Sequence, residues 1–523
     1  MWILSAAGCR WAGAVGALAI AVGGYAAGSL PEREPWGLWA PRGSALTTAG
    51  AALAYLGLTV LVAAWWRYGV LLRRAGRSDG EDREAARRVG GATGVRDARA
   101  RAVVVTLGWW TAPLVLAPPL YSADVYSYIA QGAMVLEGYD VYGAGPSVLG
   151  PGDLGVDAAA SVGGHWTDTP APYGPVFLVL AQAVVKVTGG EIVPAVFGMR
   201  LIALAALALI VWAVRGLAGG RGGFGGGDAA GGAGSDAGVA GALWLAALNP
   251  LLLIHVVGGM HNDGLMIGLM LGGVLLATRG RWVLGCVLVG LAMMIKSPAA
   301  VALLFIGVMV ARAQGGVRGV VKGLVLPGLV AGAVAVGATV AAGTGFGWLR
   351  TQSVAGAIHT ALSVTSDVGQ GLGLLLADDP DPVKGLVQKL GLAVAVALVL
   401  ALAWRSWQGR IDPVRGLGLA LVALVALSPM VQPWYLLWGV CVVAVVGWDG
   451  RWGQVLAVLS GALVYETALS GATPWYGFVM AGAVAGVGLV GAGLVGVRRA
   501  PREGHVLGGA VPLVGGRRER TRP

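Results

Sequence analysis

The sequence predicts an all-α polytopic membrane protein of about fourteen transmembrane helices plus one partial or re-entrant helix. Three observations predict it. The 523 residues are 56% hydrophobic and only 12% charged, far too little charge to cover a soluble protein of this length. Apolar runs of about 17–25 residues, each long enough to cross a ~30 Å hydrocarbon core, recur along most of the chain. The Arg residues cluster in short segments between those runs, so the net charge of +11 suits an anionic inner leaflet and does not argue for nucleic acid. Cys9, Cys286 and Cys441 lie in or beside apolar stretches, with neither metal spacing nor a disulfide framework.

The charge pattern sets the orientation. Residues 67–101 carry ten Arg against five acidic residues, which places them in the cytoplasm. Residues 121–172 carry no Lys or Arg and six acidic residues, Asp124, Glu137, Asp140, Asp153, Asp157 and Asp168, which places them outside. One span, near 102–120, separates the two. Spans near 11–28 and 45–66 put the N-terminus inside, the first read as a retained signal anchor. Seven Arg after residue 497 put the tail inside as well. Counting back from it, apolar runs near 475–497, 452–470, 433–448, 416–430, 385–404 and 320–343 leave the acidic stretch 344–384 outside.

The middle of the chain needs a choice. As one helix, residues 281–313 would be ~50 Å long, too much for a comfortable crossing. Lys296-Ser297-Pro298 lies at the centre, and proline disfavours helix in the residue before it. Two spans turning outside at Lys296 keep Arg215, Arg221, Arg279 and Arg281 inside. The short run 174–188 then enters from outside and returns. The expected organisation is an N-terminal two-span unit with a basic cytoplasmic loop (1–101), a catalytic membrane module with the external loop 121–172 (102–343), a C-terminal helical region with the external loop 344–384 (344–497), and a basic cytoplasmic tail (498–523). Residues 77–101 and the Gly-rich 219–238 read as linkers.

This topology brings nearly every unusual polar motif to the outer surface: Asp124-Val-Tyr-Ser-Tyr128, Ala171-Pro-Tyr-Gly-Pro175, Arg200, His261-Asn-Asp263, Lys296, His359, Asp367 and Gln432-Pro-Trp-Tyr435. Ionisable groups against a bilayer are costly and are functional candidates by default. Each also has a plainer reading. Asp124 could cap the helix that follows it, and His261–Asp263 could cap a helix starting at Gly264. Lys296 could snorkel to the headgroups, while Trp434 and Tyr435 are ordinary residues for an aromatic belt. His165 and His359 are weak signals individually. The sequence assigns no cofactor. His261 and Asp263 could touch a divalent cation, but two ligands do not make a site.

The chemistry that fits is transfer of a sugar from a lipid-phosphate donor. A carboxylate would take the proton from the acceptor hydroxyl, cations would meet the phosphate leaving group, and aromatics would offer apolar faces. No Walker A and no strand–Gly-rich turn–helix unit appears, consistent with a donor that arrives on a lipid. A transporter or flippase for a lipid-linked sugar is the rival from another class; it would show inverted repeats and polar groups at the bilayer midplane. An inactive scaffold is a third.

Tyr121-Ser-Ala-Asp-Val-Tyr-Ser-Tyr-Ile-Ala-Gln-Gly132, with Gly138-Tyr-Asp-Val-Tyr142, resembles the first external loop of the actinobacterial polyprenol-phosphate-mannose-dependent α-1,6-mannosyltransferases. The likeness continues through Ala171–Pro175, Leu248–Met266, Ile295–Pro298 and Ser428–Trp438, over roughly residues 100–440. It implies a GT-C-type glycosyltransferase fold with a catalytic first external loop, in the plasma membrane. It implies a polyprenyl-phosphate mannose donor, a mannan or lipoglycan acceptor, and an α-1,6 linkage made with inversion. Asp124 would be the catalytic base. Tyr126, Tyr128, Gln131, Tyr173, Arg200, His261, Asn262, Asp263, Lys296, Gln432, Trp434 and Tyr435 are the candidate substrate-binding residues, with Lys296, Arg200 and His261 assigned to the phosphate side from topology. Where the family leads one to expect an Arg between Ser122 and Asp124, this chain has Ala123. A GT-C relative using another sugar, such as arabinose, or a protein acceptor is the near alternative.

Overall fold

The computed structural model describes residues 5–87, 98–164, 166–220, 236–354, 358 and 360–497. The expected tail 498–523, most of the linker 219–238, part of the linker 77–101, and both His165 and His359 lie outside them. Every regular element among the described residues is helical. A helix satisfies its own N–H and C=O groups, the condition for backbone lying in lipid.

Among the described residues six helices are long and apolar enough to cross a membrane by length and composition: Ala6–Ala27, Thr47–Gly76, Ile192–Gly219, Ser297–Gln314, Gly316–Ala342 and Asp381–Trp407. The pair Asp236–Ala246 and Pro250–Gly258, bent by 44°, makes a seventh if it is one span. This differs from the expected fourteen. Apolar helices such as Pro175–Thr188, Asp263–Thr278, Trp282–Met293 and Pro433–Gly447 are shorter, and at 1.5 Å per residue reach about 18–24 Å, part of the way across a ~30 Å core. The reason is local. Each stops or starts at one of the polar motifs, where proline, glycine or a charged residue ends the helix inside the bundle. Non-helical backbone at that depth is tolerated where protein covers it.

The segment 281–313 is broken as its proline predicts. Helix Trp282–Met293 ends, Lys296 adopts extended backbone (φ −152°, ψ 128°), and the chain restarts at Ser297. The span expected near 452–470 stops at Leu463, and Val464–Pro474 turns back into the bundle. The helix starting at Thr47 continues to Arg87, into the stretch expected to be a linker.

Small residues let the helices approach. A Cβ on Gly16 would lie 2.6 Å from the Gly57 carbonyl oxygen, and one on Gly273 would lie 2.6 Å from that of Gly285, so neither helix pair tolerates a side chain there. Aromatic locks add direction. Trp65 Nε1 donates to the Trp244 carbonyl (3.0 Å) while Trp244 Nε1 donates to that of Trp65 (2.8 Å), with the rings stacked at 4.7 Å. Asp236 accepts from the backbone N–H groups of Arg99 (2.9 Å) and Ala100 (3.0 Å), a negative charge at the start of helix Ala98–Leu116 that its dipole favours.

In the loop 121–172 the acidic residues hold the loop's own shape. Glu137 accepts from the Leu154 N–H (3.0 Å), Asp153 from the Tyr139 hydroxyl (3.0 Å), and Asp168 from the Ser147 hydroxyl (2.6 Å). Asp124 also faces outside the loop, with its carboxylate 3.3 Å from His261.

Candidate active site

Two short connections bring the site together. Helix Ala98–Leu116 ends before Pro118-Pro119, and the chain turns at Tyr121 to start helix Asp124–Leu136. Elsewhere a single π-type turn, Leu253–Gly258, leads through Met260 to helix Asp263–Thr278. Such turns recur at functional sites. Tyr121 (φ 61°) and Met260 (φ 56°) are the two non-glycine residues with left-handed backbone among those described. Each costs about 1–3 kcal/mol and persists only where the surroundings over-determine it.

The surroundings do so here. Tyr121 N–H donates to the Leu469 carbonyl (2.8 Å), and Leu120 N–H donates to that of Gly258 (3.2 Å). Arg200, 1% exposed, sits between the two connections. Its Nη1 donates to the carbonyls of Val115 (3.0 Å) and Ala117, and its Nη2 to those of Pro118 (3.2 Å) and Gly258 (3.3 Å). Expected on the phosphate side, Arg200 instead has its four terminal N–H donors taken up by backbone.

Asp124 is the first residue of its helix; Ala123 holds the cap position. Its carboxylate, 19% exposed, has Oδ2 3.3 Å from His261 Nδ1. The His261 ring stacks on Trp434 (3.6 Å, 22°), with His255 behind it, 5.7 Å from His261 and 5.0 Å from Trp434. Beside this lies an ion pair. Lys296 Nζ donates to both oxygens of Asp263 (3.0 and 2.9 Å), and Trp438 Nε1 donates to Asp263 Oδ1 (2.7 Å). The ammonium stands 4.3 Å from the Tyr435 ring centre and 5.6 Å from that of Trp438, within cation–π range. Helix Asp263–Thr278 begins at Asp263 itself, and no side chain of 261–263 caps it.

Burial pushes the Asp124 carboxyl up, but the neighbouring His261 imidazole, the Lys296 ammonium and the Ser122 hydroxyl outweigh it and hold the group below its ordinary value. Burial likewise works to lower Lys296; the Asp263 carboxylate and Tyr435 more than offset it and hold the amine above its ordinary value. Asp124 is therefore a carboxylate and Lys296 an ammonium at neutral pH.

The remaining candidates fall into three groups. Tyr128 and Tyr173 meet edge to face (5.3 Å) with Phe177 against both. Tyr173 is carried to the Lys296 turn by Gly174, whose N–H donates to the Ile295 carbonyl (3.4 Å) and whose missing Cβ would strike the Met294 backbone. Gln131 and Asn262 are buried, with no hydrogen-bond partner for either side chain among the described residues. Tyr126 and Gln432 stand apart. The Tyr126 hydroxyl donates to the Ser29 carbonyl (2.6 Å) and anchors the loop helix, while Gln432 is half-buried with no side-chain bond among the described residues.

Trp438, His255 and Glu466 were not among the expected residues. Trp438 was findable, since it lies three residues after Tyr435 on a helix and so shares its face. Glu466, 3% exposed, sits in the turn 464–474 that carries Leu469 to Tyr121 and Gly471 against Ser122. Its signal was an acid inside a presumed span. Burial raises its carboxyl, only partly opposed by the Thr467 hydroxyl, which donates at 2.6 Å. Among the described residues no three His, Cys, Asp or Glu cluster as metal ligands would.

Comparison with known proteins puts the chain among the glycosyltransferases of the membrane. More narrowly, it belongs to the alpha-(1->6)-mannopyranosyltransferase family: the model of that family's N-terminal domain matches residues 10–312, and that of the MptB C-terminal domain matches 359–495. A probable alpha-(1->6)-mannopyranosyltransferase of Mycolicibacterium smegmatis is 35% identical over 88% of this chain and 82% of its own length. Alpha-(1->6)-mannopyranosyltransferase B of Corynebacterium glutamicum is 31% identical over 88% and 75%, and alpha-(1->6)-mannopyranosyltransferase A of Mycobacterium tuberculosis is 32% identical over 86% and 82%. No solved structure matches the chain.

Proposed function

We propose that the chain transfers mannose from a polyprenyl-phosphate mannose to a hydroxyl of a mannan or lipoglycan acceptor at the outer face of the plasma membrane, forming an α-1,6 linkage with inversion. The observation that carries the reading is the Asp124–His261 contact of 3.3 Å at the start of the loop helix, beside the Lys296 ammonium. Asp124 accepts the acceptor's hydroxyl proton as the new C1–O bond forms. The C1–O bond to phosphate breaks, and the electron pair leaves with the phosphate, whose charge Lys296 meets. Attack from the side opposite the leaving group turns a β-linked donor into an α-linked product with no covalent intermediate. His261 stands beside one oxygen of Asp124 and orients the carboxylate toward the acceptor. Tyr128, Tyr173 and Tyr435 offer apolar faces for the sugar, and Gln131 and Asn262 offer unused donors and acceptors.

Membranes supplied with polyprenyl-phosphate mannose and a short α-1,6-mannoside test the base. Asp124→Asn should lower product formation by roughly 10²–10⁴-fold; equal product from both proteins overturns the assignment. An impermeant maleimide applied to intact cells should label Ala160→Cys, an exposed position of the loop. Protection from that reagent would put the site on the other face.

A further inference from the structure

At the end of the bundle remote from Asp124, helices Ala98–Leu116 and Ile192–Gly219 part around a groove of about 760 Å³, within the ~300–1,000 Å³ usual for ligand sites. Leu107, Gly108 and Thr111 line one wall, and Leu207, Ala208 and Val211 the other, each set at helical spacing. The space exists because Gly108 and Ala208 are small; a Cβ built on Gly108 meets nothing within 4 Å. Apart from Thr111 the lining is apolar until the groove's end, where Arg215 and Arg279 both line it. Among the described residues neither Arg forms an ion pair.

Position narrows the occupant. Arg200 marks the end of its helix that serves the site, and Arg215 lies about 22 Å further along, at 1.5 Å per residue. From Leu204 to Arg215 the groove runs ~16 Å, close to half of a ~30 Å hydrocarbon core. It therefore matches one leaflet, the one opposite the active site. Two unpaired guanidiniums at the headgroup end favour a phosphate there.

We propose that this groove binds one anionic glycerophospholipid of the leaflet opposite the active site, with its phosphate on Arg215 and Arg279 and an acyl chain between Gly108 and Ala208. This does not depend on which sugar the enzyme transfers. The occupant wedges the helix that carries Arg200 against the helix that leads to Asp124, so lipid composition on one face bears on the site at the other.

The full-length protein in detergent is titrated with phosphatidylglycerol and, separately, phosphatidylcholine, and bound lipid is counted by native mass spectrometry. Phosphatidylglycerol should be retained where phosphatidylcholine is not. Arg215→Gln combined with Arg279→Gln should weaken that retention roughly tenfold. Gly108→Trp, at a position where a Cβ meets nothing within 4 Å, should remove it, and Arg318→Gln, exposed at the start of helix Gly316–Ala342, should change nothing. A photoreactive phosphatidylglycerol should label 104–111 and 204–216 in the unaltered protein, which keeps the test decisive if a variant misfolds. Equal retention of the two lipids, unchanged retention in both groove variants, or labelling elsewhere overturns the proposal. So does displacement of phosphatidylglycerol by an equal concentration of polyprenyl phosphate.

Discussion

His261 turns Nδ1 toward Asp124 Oδ2 at 3.3 Å while its ring lies on the Trp434 indole at 3.6 Å. Stacking fixes the imidazole plane and holds one of its nitrogens beside one carboxylate oxygen. The pair joins residues from opposite parts of the chain into a single orienting unit.

The first prediction follows from what His261 does to Asp124. With the carboxyl held below its ordinary value, Asp124 stays ionised as pH falls, and kcat/KM of the unaltered enzyme should show no Asp124 acid limb above about pH 4. His261→Gln removes the largest lowering influence and leaves burial opposed mainly by Lys296. The acid limb should then move upward in pH, which a kcat/KM profile from pH 4 to 8 measures. The same depression makes the ionised carboxyl stabilising above the unfolded value of about 4, an effect lost as pH falls through the lower folded value.

In the proposed mechanism Lys296 carries two tasks, the ion pair with Asp263 and the charge of the leaving phosphate. Lys296→Met should lower kcat by roughly 10²–10³-fold and also destabilise the protein, because Asp263 is left buried without its counter-ion. Adding Asp263→Asn to Lys296→Met should restore much of the melting temperature but little of the activity. Recovery of both would mean that the lysine's part is structural alone.

Arg200 is expected to act through position. Arg200→Met unpairs the carbonyls of Val115, Ala117 and Pro118 and leaves that of Gly258 to the Leu120 N–H alone, at about 1–3 kcal/mol for each buried group left unsatisfied. Melting temperature should fall and kcat should drop more than KM rises. If Arg200 instead holds the donor phosphate, the larger change will appear in KM for the lipid-linked sugar.

Trp434→Phe keeps a stacking face and should retain most activity, whereas Trp434→Ala frees the His261 ring and should cost at least tenfold in kcat, by analogy with a displaced catalytic group. Assays of the two variants side by side separate stacking from mere bulk. A Trp434→Ala enzyme as active as Trp434→Phe would remove the ring from the argument.

Much of this was legible because the chain is so apolar. In such a sequence Asp124, His261, Asp263, Lys296 and Trp434 stand out, and the ionisable ones among them cannot sit in lipid unpaired. The break at Lys296 was legible from one proline. Arg200 was harder, since its partners are backbone carbonyls, which have no sequence signature. Glu466 was hidden by assigning residues 452–470 to a full span. The same habit of matching apolar runs to whole crossings gave fourteen spans, where several helices stop inside the bundle and offer their ends to the site.

The site draws Asp124, His261, Asp263 and Lys296 from the portion matched over 10–312, and Trp434, Tyr435 and Trp438 from the portion matched over 359–495. In the order of synthesis, the charged residues leave the ribosome long before the rings that clamp them. Lys296 and Asp263 can neutralise each other at once, which lets the early helices wait in lipid without a bare charge. His261 has nothing to lean on until Trp434 arrives. The last third of translation thus supplies no acid, base or cation to the pair and ring cluster, yet it decides when the newly inserted protein becomes an enzyme.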